Sequence, residues 1–526
     1  MAALTRRRFL EAVGMAGGAG AVFQTMGALG LVPEADATPF VPPREGDLDP
    51  RRRGRRVVVL GAGIAGLTTA YELGKAGYDC VVLEAGERSG GRVWTVRGGD
   101  RARDLDGRVQ TAGFSQGQYF NAGAARLAQS MVALDYCREL GIPIEPFAGQ
   151  NANAHLYEEK VDGRPTTMRA VKADAFGYIS ELLAKATDRG ALDGELSAVD
   201  KERLLSFLGT FGTIGGRDEG FAYRGGSRRG YSVLPGAGTE QGTVLGPPEA
   251  LSRVFARNLN RFFAFELNFE YAMMMYQVVG GTDRIPLALA AAVGRQRLRY
   301  RCEVRSITNR DDGVEVAYRD PHGALRVERG DFCVAALPPH ILARLQHNLG
   351  PEVAAALATP KPNPVGKLGV EYGRRWWEQD FRLYGGISRT DLDLYQIWFP
   401  SSGMHTERGV VLGYYNIDAE AAVYDRMTPD ERLRRALEQG AKIYGDVYRR
   451  DVRSSFSAAW ARTPFIEGGW VTWPSQDSPE YRLLTRPAGR VHFAGDWLSH
   501  WISWQDGAFL SARAAVTGIH RRVAAS

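Results

Sequence analysis

The chain has 526 residues, enough for two or three domains, and its 44% hydrophobic and 24% charged content is that of an ordinary soluble enzyme. Its net charge of +6 is modest and spread along the chain, so there is no nucleic-acid stripe, and no RNA-recognition, zinc-finger or helix-turn-helix pattern occurs. Cys80, Cys137, Cys302 and Cys333 lie far apart without a C-x-x-C, and the eight histidines lack ligand spacing, so neither a disulfide scaffold nor a metal site is expected.

The chain opens on Thr5-Arg6-Arg7-Arg8-Phe9-Leu10, which is similar to the twin-arginine export motif of bacteria. A glycine- and alanine-rich apolar stretch over 13–32 follows, and then Ala35-Asp36-Ala37, a small-residue cleavage site. Residues 1–37 are therefore expected to be a signal peptide and 38–54 a loose leader, with the enzyme periplasmic or secreted. The 13–32 stretch is too weakly hydrophobic for a stable span, and no stable membrane anchor is expected elsewhere.

Next comes a buried-strand run over 57–60, then Gly61, Gly63 and Gly66 in G-x-G-x-x-G spacing. Ile64 and Ala65 open an apolar-periodic helix, and a second strand over 80–83 ends at Glu84. Strand, glycines, helix, strand and terminal acid in one unit specify a dinucleotide cradle far better than the glycines alone. Gly61 permits the tight turn, Gly63 lets backbone approach a pyrophosphate, and Gly66 lets helix and strand pack closely. The helix N-terminus presents free N–H groups to phosphate, and Glu84 accepts hydrogen bonds from ribose hydroxyls.

The run from Glu84 through Ala85, Arg88, Gly90, Gly91 and Arg92 to Thr95 has the pattern E-A-x-x-R-x-G-G-R-x-W-T. It resembles the FAD-binding start of the flavin amine oxidase family, which includes monoamine, polyamine and L-amino acid oxidases. The resemblance implies an α/β architecture: a Rossmann-like FAD-binding domain of the glutathione-reductase type, interleaved with an α+β substrate-binding domain. On that reading FAD-binding segments occupy 55–130, 277–340 and 456–526, and substrate-domain segments occupy 131–276 and 341–455. Helical patterns lie over 131–140, 171–187, 201–211, 286–293 and 429–444, a long glycine-rich loop over 215–246, and strands over 298–307, 313–318, 331–338, 394–399 and 409–414.

Within this resemblance Arg92 wraps the FAD pyrophosphate, Ala124 and Ala125 lie beside the cofactor, and Val304 meets adenine through its backbone. The C-terminal return, Gly495-Asp496 and then Asp506-Gly507-Ala508 at a helix start, closes on the flavin, with Asp496 on the ribityl chain where the family usually has glutamate. No cysteine lies near Trp470, so the FAD is expected to be noncovalent.

Three further features concern the substrate. Arg126, in a G-x-x-R similar to that of L-amino acid oxidases, is expected to grip a carboxylate bidentately, as a planar guanidinium does. Lys367 matches the family lysine that holds a water near flavin N5. Trp470 and Trp504 resemble the aromatic pair flanking the reacting bond. L-amino acid oxidases often add a tyrosine as a second carboxylate donor. Here the matching strand carries Trp398 or Phe399, with Tyr395 nearby on uncertain phase. The resemblance implies FAD-dependent oxidation of an L-amino acid by O2 to a 2-oxo acid, ammonia and hydrogen peroxide. Alternatives are an amine or polyamine oxidase, a flavin amino-acid 2-monooxygenase, and a noncatalytic flavoprotein. A homodimer is the base-rate assembly.

Overall fold

The computed structural model describes residues 40–48, 52–259, 263, 267–271 and 274–525. The twin-arginine motif and the Ala35–Ala37 cleavage site lie outside the described residues. Two sheets dominate, and the interleaved α/β class expected from the glycine fingerprint is what the chain adopts.

The first sheet has five parallel strands in the order Leu298–Arg299, Asp79–Leu83, Arg56–Leu60, Phe332–Ala335 and Val491–Phe493. Its strands come from three separated stretches of chain. After Arg56 the central strand is wholly apolar because both faces are covered: Val57, Val58, Val59 and Leu60 are all at 0% exposure. The helix Ile64–Lys75 covers one face, and the C-terminal helix Gln505–Ala525 packs beside it. Tyr136 stacks on Phe509 at 4.4 Å and donates to buried Glu72 at 2.8 Å, tying the helix Ala133–Glu139 to both.

The second sheet has seven strands, in the order Val452–Ala459, Val365–Tyr372, Gly409–Ile417, Gln396–Trp398, Ile387–Thr390, His155–Tyr157 and Thr166–Thr167. Its far face carries a dense aromatic core of Tyr372, Trp376, Trp377, Phe399, Tyr444 and Tyr448, covered by the helix Pro429–Tyr444. Its near face turns Lys367, Trp398 and Tyr415 toward the first domain. The pairing of Leu368 with Tyr414 and of Gly369 with Leu412 leaves Gly413 as an extra residue, a bulge. Strict alternation from Leu412 would bring residue 414 to the near face; the bulge brings Tyr415 there instead, opposite Lys367.

One sequence expectation is corrected. The strand expected over 298–307 is two strands: Arg301 sits at φ +57°, and the chain leaves the parallel sheet after Arg299 to begin an antiparallel one at Glu303–Asn309. The glycine-rich 215–246 stretch contains short helical turns and a small hairpin of Tyr231–Val233 with Thr243–Val244. It borders the helices Met168–Asp188 and Ala198–Gly212 and is pinned by one buried ion pair, while a second buried cluster pins the chain just after it at 249–257. Arg229 donates to Asp174 at 2.6 Å, and Arg257, 1% exposed at its side chain, reaches Glu158, Asp162 and Glu249. No helix among the described residues is long and apolar enough to cross a membrane.

Removing Arg257 would leave three acidic groups facing one another in a largely dry site. Arg257→Met should therefore cost about 3–5 kcal/mol of stability, read as a lower urea midpoint. A variant within about 0.5 kcal/mol of the parent would mean the cluster is not the pin described.

Candidate functional site: a dinucleotide cradle and an aromatic box

The three fingerprint glycines meet three different surroundings. Gly61 has φ +94° and its N–H reaches Leu83 O at 2.8 Å. A Cβ on Gly66 would lie 2.0 Å from Gly61 O, so helix and loop touch through backbone alone. A Cβ on Gly63 would meet nothing within 4 Å, so this glycine opens outward while its neighbours are constrained from within. Ile64 and Ala65 bury themselves as the first turn of the helix.

The Gly90–Gly91 turn lies against this loop. Gly90 N donates to Ala62 O at 2.8 Å, Gly63 and Gly90 form a parallel bridge, and both turn glycines have positive φ. Arg88 holds the turn, donating to Ser89 O at 3.2 Å and Gly91 O at 2.7 Å and lying over the Trp94 ring. Its role in the structure is thus a clamp, and burial lowers its guanidinium to about 10. Glu84 accepts from Ala62 N and Gly86 N, each at 2.7 Å, across Ala85. Burial pushes its carboxyl up, against those two bonds and the charge of Arg88. Cys302 N donates to Glu84 O at 2.8 Å, which brings the backbone leading to Val304 beside the acid.

Two expectations change at the C-terminal return. Arg92 and Asp496, expected on different parts of one cofactor, are bonded to each other, and Arg92 also donates to Gly469 O at 2.7 Å. Asp496 further accepts from Ser503 N at 3.1 Å, so the pair fastens the loop before the last helix. The Asp506 carboxylate accepts from Ala133 N at 3.0 Å. It therefore caps another helix rather than facing a ligand, and burial raises it to about 6. Gly495 lies at φ +153° with its N–H on Ser511 Oγ at 2.9 Å. At the helix start, a Cβ on Gly507 would fall 2.2 Å from Ser499 Oγ, and Ala508 is buried next to it. The amide of Gln505 is buried with neither its N nor its O partnered among the described residues. That orphaned amide at a helix N-terminus, together with the outward-opening Gly63, fits a large polar group lying across the cradle.

The strand of Lys367 carries the second half of the site. Lys367 is 5% exposed and donates to Gly123 O at 2.5 Å; a Cβ on Gly123 would fall 1.6 Å from Arg92 O. The Gly123–Arg126 segment is therefore pressed between the cradle and the second sheet, with Ala124 and Ala125 partly buried inside. Arg126 emerges into an aromatic box, its guanidinium 5.0 Å from the Tyr271 ring, 4.6 Å from Trp398 and 5.7 Å from Trp504. Lys367 Nζ lies 5.2 Å from the Trp398 ring and 4.8 Å from Tyr415. Desolvation, then the charge of Arg126, lowers the Lys367 amine to about 7.

Of the two residues weighed on the Gln396–Trp398 strand, Trp398 faces this box. Phe399 points into the opposite core against Trp376 and Tyr444, which removes it from the site. Tyr395 sits at the preceding turn with φ +63°, outside the strand's alternation. Trp470 borders a cleft with Arg92, His340 and Asp496, and no ring contact joins it to Trp504 among the described residues. Tyr271 and Tyr415 carry no motif and were not anticipated; the signal for Tyr415 was its place in a Tyr-Tyr pair whose phase the bulge decides.

Lys367 is neutral in the native state between about pH 7 and the ordinary lysine value of 10.5, where the unfolded chain is protonated. The unfolded state then binds more protons, so its contribution to stability is intact above 10.5 and is lost as pH falls toward 7, and is constant below that. Lys367→Met should abolish this slope. Urea midpoints of parent and variant should diverge across the window by on the order of a few kcal/mol; curves that stay parallel would contradict the burial argument.

A family model described as flavin containing amine oxidoreductase matches residues 64–520. An L-amino-acid oxidase of Protobothrops flavoviridis is 25% identical over 507 residues, covering 93% of each chain. Another, of Vipera ammodytes ammodytes, is 24% identical over 506 residues, covering 93% of this chain and 97% of that one. Among solved structures, the cyclohexylamine oxidase from Brevibacterium oxydans IH-35A aligns with a TM-score of 0.59 at 18% identity, covering 89% of this chain and 99% of its own. Putrescine oxidase bound to putrescine aligns with a TM-score of 0.57 at 19% identity, covering 88% and 98%. With the family model spanning the cradle helix, the aromatic box and the final helix, this chain belongs to the flavin-containing amine oxidoreductases, and its cradle is that of an FAD enzyme.

Proposed function

We propose that this oxidoreductase deaminates L-amino acids, and the observation that carries the reading is Arg126 held in a box of Tyr271, Trp398 and Trp504 with Lys367 alongside. A guanidinium in apolar surroundings is a strong partner for a carboxylate, because water does not compete for its donors. FAD, which Gly61–Gly66, Glu84 and the Gly90–Gly91 turn would hold, would supply the two-electron oxidation of the Cα–N bond, with O2 as the final acceptor and hydrogen peroxide as the product. The amine nitrogen loses its proton, and water then adds to the C=N bond and releases ammonia and the 2-oxo acid. Arg126 fixes which Cα–H is presented, and Trp504 and Trp470 would wall the reacting bond from water. The Lys367 amine, near 7, holds or moves a proton at neutral pH without leaving its carbonyl partners.

The two relatives described above are named as L-amino-acid oxidases, which supports the reading, while the aligned structures are named as cyclohexylamine and putrescine oxidases. A diamine fits this box poorly: its second ammonium would enter beside the permanently charged Arg126 guanidinium, and like charges repel. Export by the twin-arginine route is proposed on the Thr5–Leu10 motif alone.

Peroxide release should be measured with L-amino acids, their D-isomers and the corresponding decarboxylated amines. Turnover is expected for L-amino acids, and Arg126→Met should lower their kcat/KM by about 2–5 kcal/mol, roughly 30- to several-thousand-fold. Turnover of amines with none of L-amino acids would assign the chain to the amine oxidases instead.

A further inference from the structure

The carboxylate reading leaves one guanidinium with a substrate group that has two oxygens and about four lone pairs. The strand expected to bring a second donor does not bring one. Trp398 faces the box, but its Nε1–H is spent on Gln396 Oε1 at 2.7 Å, and Phe399 has no donor and faces away. Tyr271 offers Arg126 the face of its ring, and Tyr395, held in the turn before the strand, lies close enough to add to the burial that raises the phenols of Tyr271 and Tyr415.

Tyr415 is placed differently. It pairs directly across the strands with Lys367, whose Nζ sits 4.8 Å over its ring. It meets Trp398 nearly edge-on, ring centres 5.4 Å apart at 78°, and Arg126 lies 4.6 Å from that same indole. Tyr415 and Arg126 thus share one tryptophan as a common wall. Among the described residues the Tyr415 hydroxyl makes no hydrogen bond; on the sheet's other face Tyr372, Tyr444 and Tyr448 each make one, and the buried Tyr414 hydroxyl does not. Tyr415 is half-buried and feels the charge of Arg126, so its open hydroxyl is placed to donate to an anionic ligand atom held by that guanidinium.

We propose that Tyr415, rather than any residue of the Gln396–Trp398 strand, donates the second hydrogen bond to the substrate carboxylate. The carboxylate then bridges the Arg126 guanidinium and the Tyr415 hydroxyl across Trp398. Burial raises the Tyr415 phenol, which keeps it protonated and a donor through the neutral range. This inference rests on the L-amino acid reading.

The test is Tyr415→Phe as FAD-loaded enzyme, which removes a hydroxyl that bonds nothing in the protein and so should leave thermal stability and flavin content unchanged. Benzoate serves as the carboxylate probe, its Kd read from the flavin absorbance change, beside kcat and KM for an L-amino acid. Loss of one hydrogen bond to a charged group predicts a benzoate Kd and a KM raised about 10- to 100-fold, with kcat changed far less. A Tyr415→Phe enzyme that binds benzoate as the parent does, while Arg126→Met does not, overturns the role of Tyr415 and leaves the amino acid reading standing. A parent that neither binds benzoate nor turns over L-amino acids removes both.

Discussion

The rest of the site depends on holding two basic groups together at the seam between two sheets, the half-buried Arg126 guanidinium and the buried Lys367 amine. Burying a charge is costly unless something replaces its hydration. The replacements here are unusual in kind. Arg126 is covered by ring faces, and Lys367 by ring faces and the carbonyl of Gly123. For Lys367, ring quadrupoles and the Asn121 and Gly123 carbonyls compensate only in part, and its amine gives way, dropping to about 7.

That seam exists because the chain passes between the two domains repeatedly. The parallel sheet takes strands from three distant stretches, and the intervening chain forms the second sheet. Arg92, at the end of the first cradle segment, fastens to Asp496 more than 400 residues later, while its own carbonyl crowds Gly123 on the way to Arg126. Cofactor cradle and substrate box are thus one continuous piece of backbone: a displacement in the Gly-Gly-Arg turn is transmitted to the guanidinium by direct contact.

What could be read from the sequence follows how local each feature is. Gly61, Gly63 and Gly66 were legible because their roles are set within six residues. The long helices were legible too, since apolar periodicity is a property of the segment; the one over 429–444 falls at Pro429–Tyr444. Asp506 was not legible: its partner, Ala133 N, lies 373 residues away, and nothing near Asp506 announces it. Trp398 against Phe399 was undecidable, because Tyr395 at φ +63° interrupts the alternation just before the strand begins. The strand over 298–307 failed for a similar reason, since a single left-handed residue, Arg301, divides it without any glycine to mark the place. Arg88 and Arg92 were found by motif; Arg88 holds carbonyls within three residues of itself, but the carbonyl and carboxylate that Arg92 holds depend on chain crossings that no local pattern records.

The bulge at Gly413 makes the site's chemistry a matter of parity. One extra residue sets which of two consecutive tyrosines looks into the box, and the other is consigned to the opposite core. Because both neighbours are tyrosines, a strand that lost the irregularity would still turn a phenol inward, from Tyr414, displaced along the strand by roughly 3.4 Å. The kind of group lining the wall is thereby insured against a slip in register, while its distance from the guanidinium is not. Aligning relatives of this chain by counting residues along that strand would thus preserve the tyrosine and misplace the hydroxyl.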